Sequence, residues 1–323
     1  MNPTTFTADS PQRLDAFLTD RIGVTRNQVV QLIKQGTVIV DGKPVAKPGL
    51  KLKGGESVTV TFPEAKETPA LEVDFDVEIV YEDDDLLVLN KPSGVTVHPA
   101  PSVKEATLVD WLKHKGIRLS TISGEERHGI VHRLDKGTSG LMVVAKNNGT
   151  HEALSKQLQD KSMGRYYLAV VTPPLKEDLT LVEKPIARSP SNRLKMGHVP
   201  HGKEAATLFK KLLPSRDGKR ELIACKLFTG RTHQIRVHLE TMSRHIIGDH
   251  LYGVKSADAK MARILLHAYV LYFCHPATQK KVTFTAPIPE AMRTYLEKHF
   301  ETENLDEIIA SDAIEHAFTP DAV

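Results

Sequence analysis

Apolar and polar positions along the chain change period several times, and each change marks an element. Leu14, Phe17, Leu18 and Ile22 recur at helical spacing, and Val29, Leu32 and Ile33 make a second helical face. Thr25 with Gln28 three residues on has the pattern of a capping box, and Gly36 stands where that helix would stop. Residues 37–40, Thr-Val-Ile-Val, then Asp41-Gly42, then Lys43-Pro44-Val45 read as a strand, a tight turn and a second strand. Val58 and Val60 close a small unit over residues 11–63, with Arg21, Arg26, Lys34, Lys43 and Lys47 along it. Residues 64–70 have the composition of a linker.

A larger domain is predicted over residues 71–300. Strand-like runs within 78–89 end at the turn Asn90-Lys91-Pro92-Ser93-Gly94. A short helix is predicted over 107–115, a strand after Gly140, and a helix from 150 to 161. Further strands are predicted at 166–171, 205–213, 221–227 and 232–239. Many strands with few helices between them argue for a mixed, largely antiparallel central sheet with flanking helices, an α+β form of the α/β class. In the 232–239 segment, strand alternation puts His233, Ile235, Val237 and Leu239 on one face, giving His233 a hydrogen-bonded place in the core. Thr232, Gln234, Arg236 and His238 share the other face, and an arginine on a mostly buried sheet needs a carboxylate or phosphate partner. Leu305, Ile308, Ile309 and Ala313, within an acidic tail at 301–323, fit an amphipathic helix or a disordered segment equally well.

Composition narrows the class. The 323 residues are 40% hydrophobic and 26% charged, as in ordinary globular proteins, and no apolar run approaches the roughly 18 residues of a membrane span. The polar start lacks a secretory pattern, and two cysteines, Cys225 and Cys274, fit buried thiols in a reducing compartment; the expected location is the cytoplasm. The net charge of +3 conceals a segregation: residues 71–300 carry 34 Lys and Arg against 26 Asp and Glu, whereas 301–323 carry no Lys or Arg and seven Asp and Glu. A basic body points to a polyanion, nucleic acid first, although charge alone fits a well-solvated surface as well. An acidic tail laid across a basic cleft would reduce non-specific nucleic-acid binding; a solvated tail is the plainer reading.

His233 and His238 lie on opposite faces of the expected strand, and neither Cys-x-x-Cys nor His-Glu-x-x-His occurs, so a catalytic metal has no support. No dinucleotide fingerprint or phosphate loop is present, which leaves ATP and NAD unsupported; Gly137, Gly140, Gly230, Gly248 and Gly253 read as turns or close backbone approaches. The chemistry concentrates at His132-Arg133-Leu134-Asp135-Lys136-Gly137-Thr138-Ser139-Gly140. A carboxylate flanked by cations in such a turn is either a structural cap or ion-pair partner, or a nucleophile kept ionised. Tyr166-Tyr167 alone would be core or strand surface. Together, a carboxylate, an arginine partner, an aromatic platform and a basic body are what an enzyme acting on a nucleobase needs.

These residues resemble the signatures of a family. His132-Arg133-Leu134-Asp135 with Thr138-Ser139-Gly140 looks like the signature of the RluA-type pseudouridine synthases. Arg165-Tyr166-Tyr167-Leu168-Ala169-Val170-Val171 is similar to their tyrosine motif, and residues 229–238, Thr-Gly-Arg-Thr-His-Gln-Ile-Arg-Val-His, to their arginine motif. Asn90-Lys91-Pro92-Ser93-Gly94 and Gly248-Asp249-His250-Leu251-Tyr252-Gly253 match two further patterns, so the resemblance runs over about residues 75–295. Residues 11–62 resemble the small RNA-binding module shared with a small-subunit ribosomal protein, the S-four-like or alpha-L fold. Val97-His98-Pro99 and Gly129-Ile130-Val131 look most like the RluD branch.

The resemblance implies isomerisation of uridine to pseudouridine in RNA, without cofactor or metal, on 23S rRNA or a pre-ribosomal large subunit; a monomer is the default expectation. It implies that Asp135 is the nucleophile, that Arg236 holds its charge in an ion pair, and that Tyr167 stacks on the flipped uracil or assists proton loss from C5. Tyr166 alternates to the other face as packing. Arg133 is expected to fill the space the base vacates or to hold a phosphate, and Lys91, Arg231, Gln234 and His132 join it as substrate-binding candidates. Two other classes compete: a non-catalytic RNA-binding or assembly factor, which would need no Asp–Tyr–Arg set, and a metal-dependent nucleic-acid enzyme.

Overall fold

The computed structural model describes residues 3–22, 26–61, 71–100, 103–122, 128–253 and 261–318. The chain forms two units, one of Met1–Glu72 with Thr121–His128 and one of Val73–Ser120 with Gly129–Val323. The expected linker at 64–70 and the Thr25 cap lie outside the described residues.

In the first unit the elements run β1 (Thr4–Thr7), β2 (Gln12–Arg13), α1 (Leu14–Ile22), α2 (Arg26–Lys34), β3 (Val38–Val40), β4 (Lys43–Pro44), β5 (Lys51–Leu52) and β6 (Ser57–Val60). An antiparallel sheet of order β1-β6-β3-β4 carries the helices, and Leu14, Phe17, Leu18, Val29, Leu32 and Ile33 bury against Val38, Val40, Val58 and Val60. Asp41 and Gly42 both have positive φ, 48° and 76°, as the two-residue hairpin between β3 and β4 demands. Asp15 is buried at the start of α1 between Arg13 and Arg26, whose hydrogen bonds hold its carboxyl well below the usual range.

The second unit continues with β7 (Glu78–Glu82), β8 (Leu86–Lys91), α3 (Leu108–His114), β9 (Ser139–Ala145), α4 (Asn148–Gln159), β10 (Gly164–Thr172), β11 (Leu179–Glu183), β12 (Ile186–Arg188), β13 (Met196–His198), β14 (Ala206–Pro214) and β15 (Glu221–Leu227). Then come α5 (Gln234–Thr241), β16 (His245–Ile246), β17 (Leu266–Cys274), β18 (Lys281–Thr285), α6 (Glu290–His299), α7 (Leu305–Ile308) and α8 (Ser311–His316). The central sheet has the order β11-β14-β15-β10-β17-β9-β8-β7, with β16 on β10 and β18 on β17. Every pairing is antiparallel except β17 with β9. This is the mixed, largely antiparallel sheet with helices that the pattern predicts.

The central strands β8, β9, β10, β15 and β17 are buried on both faces, which is why they read as near-continuous apolar runs. On the front face, Leu87, Leu89, Met142, Val144, Tyr167, Ala169, Ile223 and Cys225 pack against Trp111 and Leu112 of α3 and Ile235 and Leu239 of α5. On the back, Leu141, Val143 and Phe273 pack with Leu154 of α4, and Tyr166, Leu168 and Val170 with α6 and the residues after it.

Two expectations are corrected. Residues 234–241 form a helix, not a strand. Four alternating positions on each face fit a strand, but the helix wins because it seats Ile235 and Leu239 together on the core and Gln234 and His238 together on Thr207. The acidic tail does not cross the front face within its described residues: α7 and α8 bury Leu305, Ile309, Ile314 and Phe318 in the back-face core. Phe318 stacks on Tyr166 at 5.3 Å between ring centroids.

Candidate active site

Strand β9 begins just after the turn that holds Asp135, and its first residues fix that turn against the sheet. Gly140 has φ +116°, and a Cβ there would lie 2.2 Å from the Ala268 carbonyl oxygen, so only glycine lets β9 and β17 approach this closely. Opposite, Tyr166 pairs with Val270 and Tyr167 with Ala268, leaving Tyr269 as the extra residue of a β-bulge. Gly140 and Tyr167 thus share Ala268 as neighbour, which brings the Asp135 turn beside the Tyr167 ring.

A pocket opens on the front face, lined among others by Arg133, Asp135, Arg165, Tyr167, Arg231 and Arg236. Arg236, in the first turn of α5, donates from Nη1 to Asp135 Oδ2 at 3.2 Å. Its other edge donates from Nε and Nη2 to both oxygens of Asp249, at 2.7 and 2.8 Å. Burial works against the Arg236 charge, but the Asp249 hydrogen bond, with the fields of Asp249 and Asp135, keeps its pKa above the ordinary guanidinium value. Burial likewise works against the Asp249 charge, and Arg236 nonetheless holds that carboxyl below its usual range. Tyr167 is 4% exposed, and burial pushes its phenol up, so it stands protonated at neutral pH.

His233 starts α5 with φ +57°, a left-handed conformation that costs a residue with a Cβ roughly 1–2 kcal/mol. Its Nδ1 lies 2.8 Å from the Tyr252 hydroxyl and its Nε2 3.9 Å from Asp135 Oδ2. Burial lowers its pKa, so a neutral imidazole faces the carboxylate. His233 is therefore part of the pocket wall and not of the apolar core, because the helix turns it toward Asp135. The Tyr252 ring also carries the Arg236 guanidinium at 4.7 Å.

The substrate-binding candidates divide. Arg133 is exposed at the pocket, and Arg231 lines it while donating from Nε to the Glu204 carbonyl at 2.9 Å. Three others make most of their contacts inside the protein, although Gln234 also lines the pocket. Lys91 is fully buried and donates to the carbonyls of Pro92 and Val95 at 2.8 and 2.9 Å, with Lys136 O at 3.4 Å. Burial pulls its pKa to about 7 against the field of Asp135, and its ammonium ties the Asp135 turn to the end of β8. The Gln234 side chain accepts from Thr229 Oγ1 and the Arg231 amide and donates to Ala206 O and Thr207 Oγ1, so it shapes the loop before α5. His132 accepts the Val143 amide at Nε2 and is kept neutral by burial.

Asp249, Tyr252 and Arg165 were not singled out for roles by sequence reasoning. The signal for Asp249 lay in Arg236 itself, since a buried guanidinium has more donors than one carboxylate can take. Arg165 lines the pocket two residues before Tyr167, 7% exposed, and its Nε has no partner among the described residues. Among the described residues no group of three or more His, Cys, Asp or Glu is placed to hold a metal ion, and no helix is long and apolar enough to cross a membrane.

Comparison with known proteins decides the family. Residues 85–241 match the RNA pseudouridylate synthase family, and residues 12–58 match the S4 domain. An RNA pseudouridine synthase of Helicobacter pylori strain J99 is 49% identical over 314 residues, covering 95% of this chain and 96% of the relative. The chain belongs to the RluA family of RNA pseudouridine synthases. A ribosomal large subunit pseudouridine synthase D of Neisseria meningitidis serogroup A is 42% identical to this synthase over 290 residues, covering 86% of the chain and 76% of the relative. The solved structure of the human RNA pseudouridylate synthase domain containing 1 shares its fold, with a TM-score of 0.60 at 23% identity over 76% of this chain and 96% of the other. The synthase is an isomerase acting on RNA, with an S4 domain at its N-terminal end.

Proposed function

We propose that this synthase converts uridines of the large-subunit ribosomal RNA to pseudouridine, with Asp135 as nucleophile, Arg236 as its counter-charge and Tyr167 as the wall on which the flipped uracil stacks. The observation that carries the reading is the half-buried Asp135 held 3.2 Å from Arg236 in the pocket that Tyr167 lines. The choice of RNA leans on the large-subunit relatives at 40–42% identity and on the RluD-like residues Val97-His98-Pro99.

The chemistry needs an ionised carboxylate where water is largely excluded, and a desolvated carboxylate keeps its charge when a cation stands beside it. In the reaction the N1–C1′ bond breaks and a C5–C1′ bond forms. The C5 proton leaves and N1 takes one up, so the product is an isomer and nothing is consumed. The uridine leaves its stack at a cost of a few kcal/mol, and the exposed Arg133 at the pocket mouth is placed to fill the gap or hold a phosphate. Lys91, Gln234 and His132 serve by holding the walls.

Release of tritium from RNA labelled at C5 of uridine tests this. Release is expected from unmodified 23S rRNA or large-subunit particles and not from tRNA. Asp135→Asn should lower it on the order of 10⁴-fold or more, as loss of a covalent nucleophile does, with RNA affinity unchanged. Full activity in Asp135→Asn would overturn the assignment, and release from tRNA alone would overturn the substrate.

A further inference from the structure

Arg236 presents one edge to each of two carboxylates, and the two contacts differ in kind. Toward Asp249 it is forked, Nε to Oδ2 at 2.7 Å and Nη2 to Oδ1 at 2.8 Å. Toward Asp135 it offers one N–H, Nη1 to Oδ2 at 3.2 Å. The Asp249 carboxylate, 1% exposed, is itself fixed, because Oδ1 also accepts the backbone N–H groups of Leu251 and Tyr252, each at 3.0 Å. A forked pair cannot rotate without breaking two charge-assisted bonds, so Asp249 sets the plane and the angle of the guanidinium. The Tyr252 ring holds the same guanidinium at 4.7 Å and limits it from one side.

We propose that Asp249 is a positioning residue for the isomerisation: it occupies two of the Arg236 donors so that Asp135 is neutralised through a single N–H on Oδ2 while Oδ1 stays open to the substrate. The proposal rests on the reading of Asp135 as nucleophile. Without Asp249, Arg236 is free to turn its forked edge onto Asp135, the geometry a lone arginine and carboxylate prefer. Both carboxylate oxygens would then be engaged, and the nucleophile would be quenched by its own counter-charge. His233 also approaches Asp135 through Oδ2, at 3.9 Å, so both neighbours leave the same oxygen unencumbered.

Asp249→Asn separates this role from a structural one. The amide oxygen can stand in for Oδ1 and keep the Leu251 and Tyr252 bonds, while the NH₂ group meets the Arg236 Nε–H and the fork is lost. The assay is single-turnover tritium release from bulk cellular RNA, labelled at C5 of uridine and taken from cells lacking the synthase, alongside RNA affinity. The expected result is a fall in rate on the order of 10²-fold, the cost of a small misplacement of a reacting group, with affinity within about threefold of wild type.

Arg236→Lys supplies the second arm, since an ammonium has no forked edge for Asp249 to hold. In that background Asp249→Asn should cost less than about threefold, because both changes remove one interaction. Equal rates for Asp249→Asn and wild type, or full losses that multiply in the double variant, would overturn the proposal. Nitrogen-15 spectra of free enzyme give a readout independent of activity: the Arg236 Nε–H signal should be slow to exchange in wild type and lost in Asp249→Asn, and its persistence would overturn the proposal too. Wild-type enzyme that releases no tritium from any RNA would overturn the functional reading and this inference with it.

Discussion

Tyr166 and Tyr167 are neighbours on one strand, and the two faces they serve are built in opposite ways. Behind the sheet, the Tyr166 ring is stacked by Phe318 and topped by the Lys226 ammonium at 5.7 Å, and the last helices seal it. In front, Tyr167 borders a pocket lined by arginines at 133, 165, 231 and 236. The back face is closed by apolar area and rings. The front face is held open by polar groups that fix one another: Asp249 fixes Arg236, Arg236 meets Asp135, and Gln234 fixes the loop between them in sequence. The sheet can therefore keep the Asp135 carboxylate half-exposed on one face, because the other supplies the stability.

The largest expected effect tests whether the front face depends on close backbone approach. Gly140→Ala forces a Cβ against the Ala268 carbonyl at a positive φ, and should cost about 4–5 kcal/mol with loss of activity. Denaturant unfolding checks it; a near-wild-type midpoint would show that β9 and β17 can part without harm. Next, Phe318→Ala should sharpen the contrast by striking the back face alone. About 3 kcal/mol of stability should be lost, with tritium release at 25 °C within about twofold of wild type. A large fall in rate without unfolding would mean that the two faces are coupled through β10.

The last effect is a pH dependence. His267, buried on β17 with Nδ1 2.8 Å from Ser139 Oγ, has its pKa pulled to about 4 by burial, against 6.5 unfolded. Above pH 6.5 both states hold it neutral and it adds nothing. As pH falls from 6.5 to 4 only the unfolded chain gains the proton, so about 3 kcal/mol of stability drains away across that window. His132, also kept neutral by burial, acts in the same direction. Unfolding curves from pH 7 to 4 should show the loss, and His267→Gln should flatten it; an unchanged slope in that variant would remove His267 as the cause.

Much of this was legible in the chain. The strands at 166–171 and 221–227, the helix at 107–115 and the split between Tyr166 and Tyr167 follow from short periods and turn residues, which are local properties. At 232–239 the alternation predicts a strand over too few residues to exclude a helix, and only contact with Thr207 and the core chooses the helix. The expected pair of Arg236 and Asp135 is present even so, because a buried guanidinium needs an anion in either conformation. Lys91 is a substrate-binding candidate because it belongs to the Asn90–Gly94 motif, and its burial is not legible there. Its ammonium meets the nearby carbonyls of Pro92 and Val95 and one distant carbonyl, that of Lys136, 45 residues on.

The sequence by itself determined the family, the order of the strands along the chain and the residues around which the chemistry gathers, since motif spacing and hydrophobic period are written into neighbouring positions. Tertiary structure alone decided that Asp249 shares Arg236 with Asp135 and that the acidic tail closes the back of the sheet. It also turned Lys91, Gln234 and His132 inward. Each of these depends on which donors and acceptors meet after the chain has crossed over itself, and burial makes such meetings obligatory without naming the partner in advance.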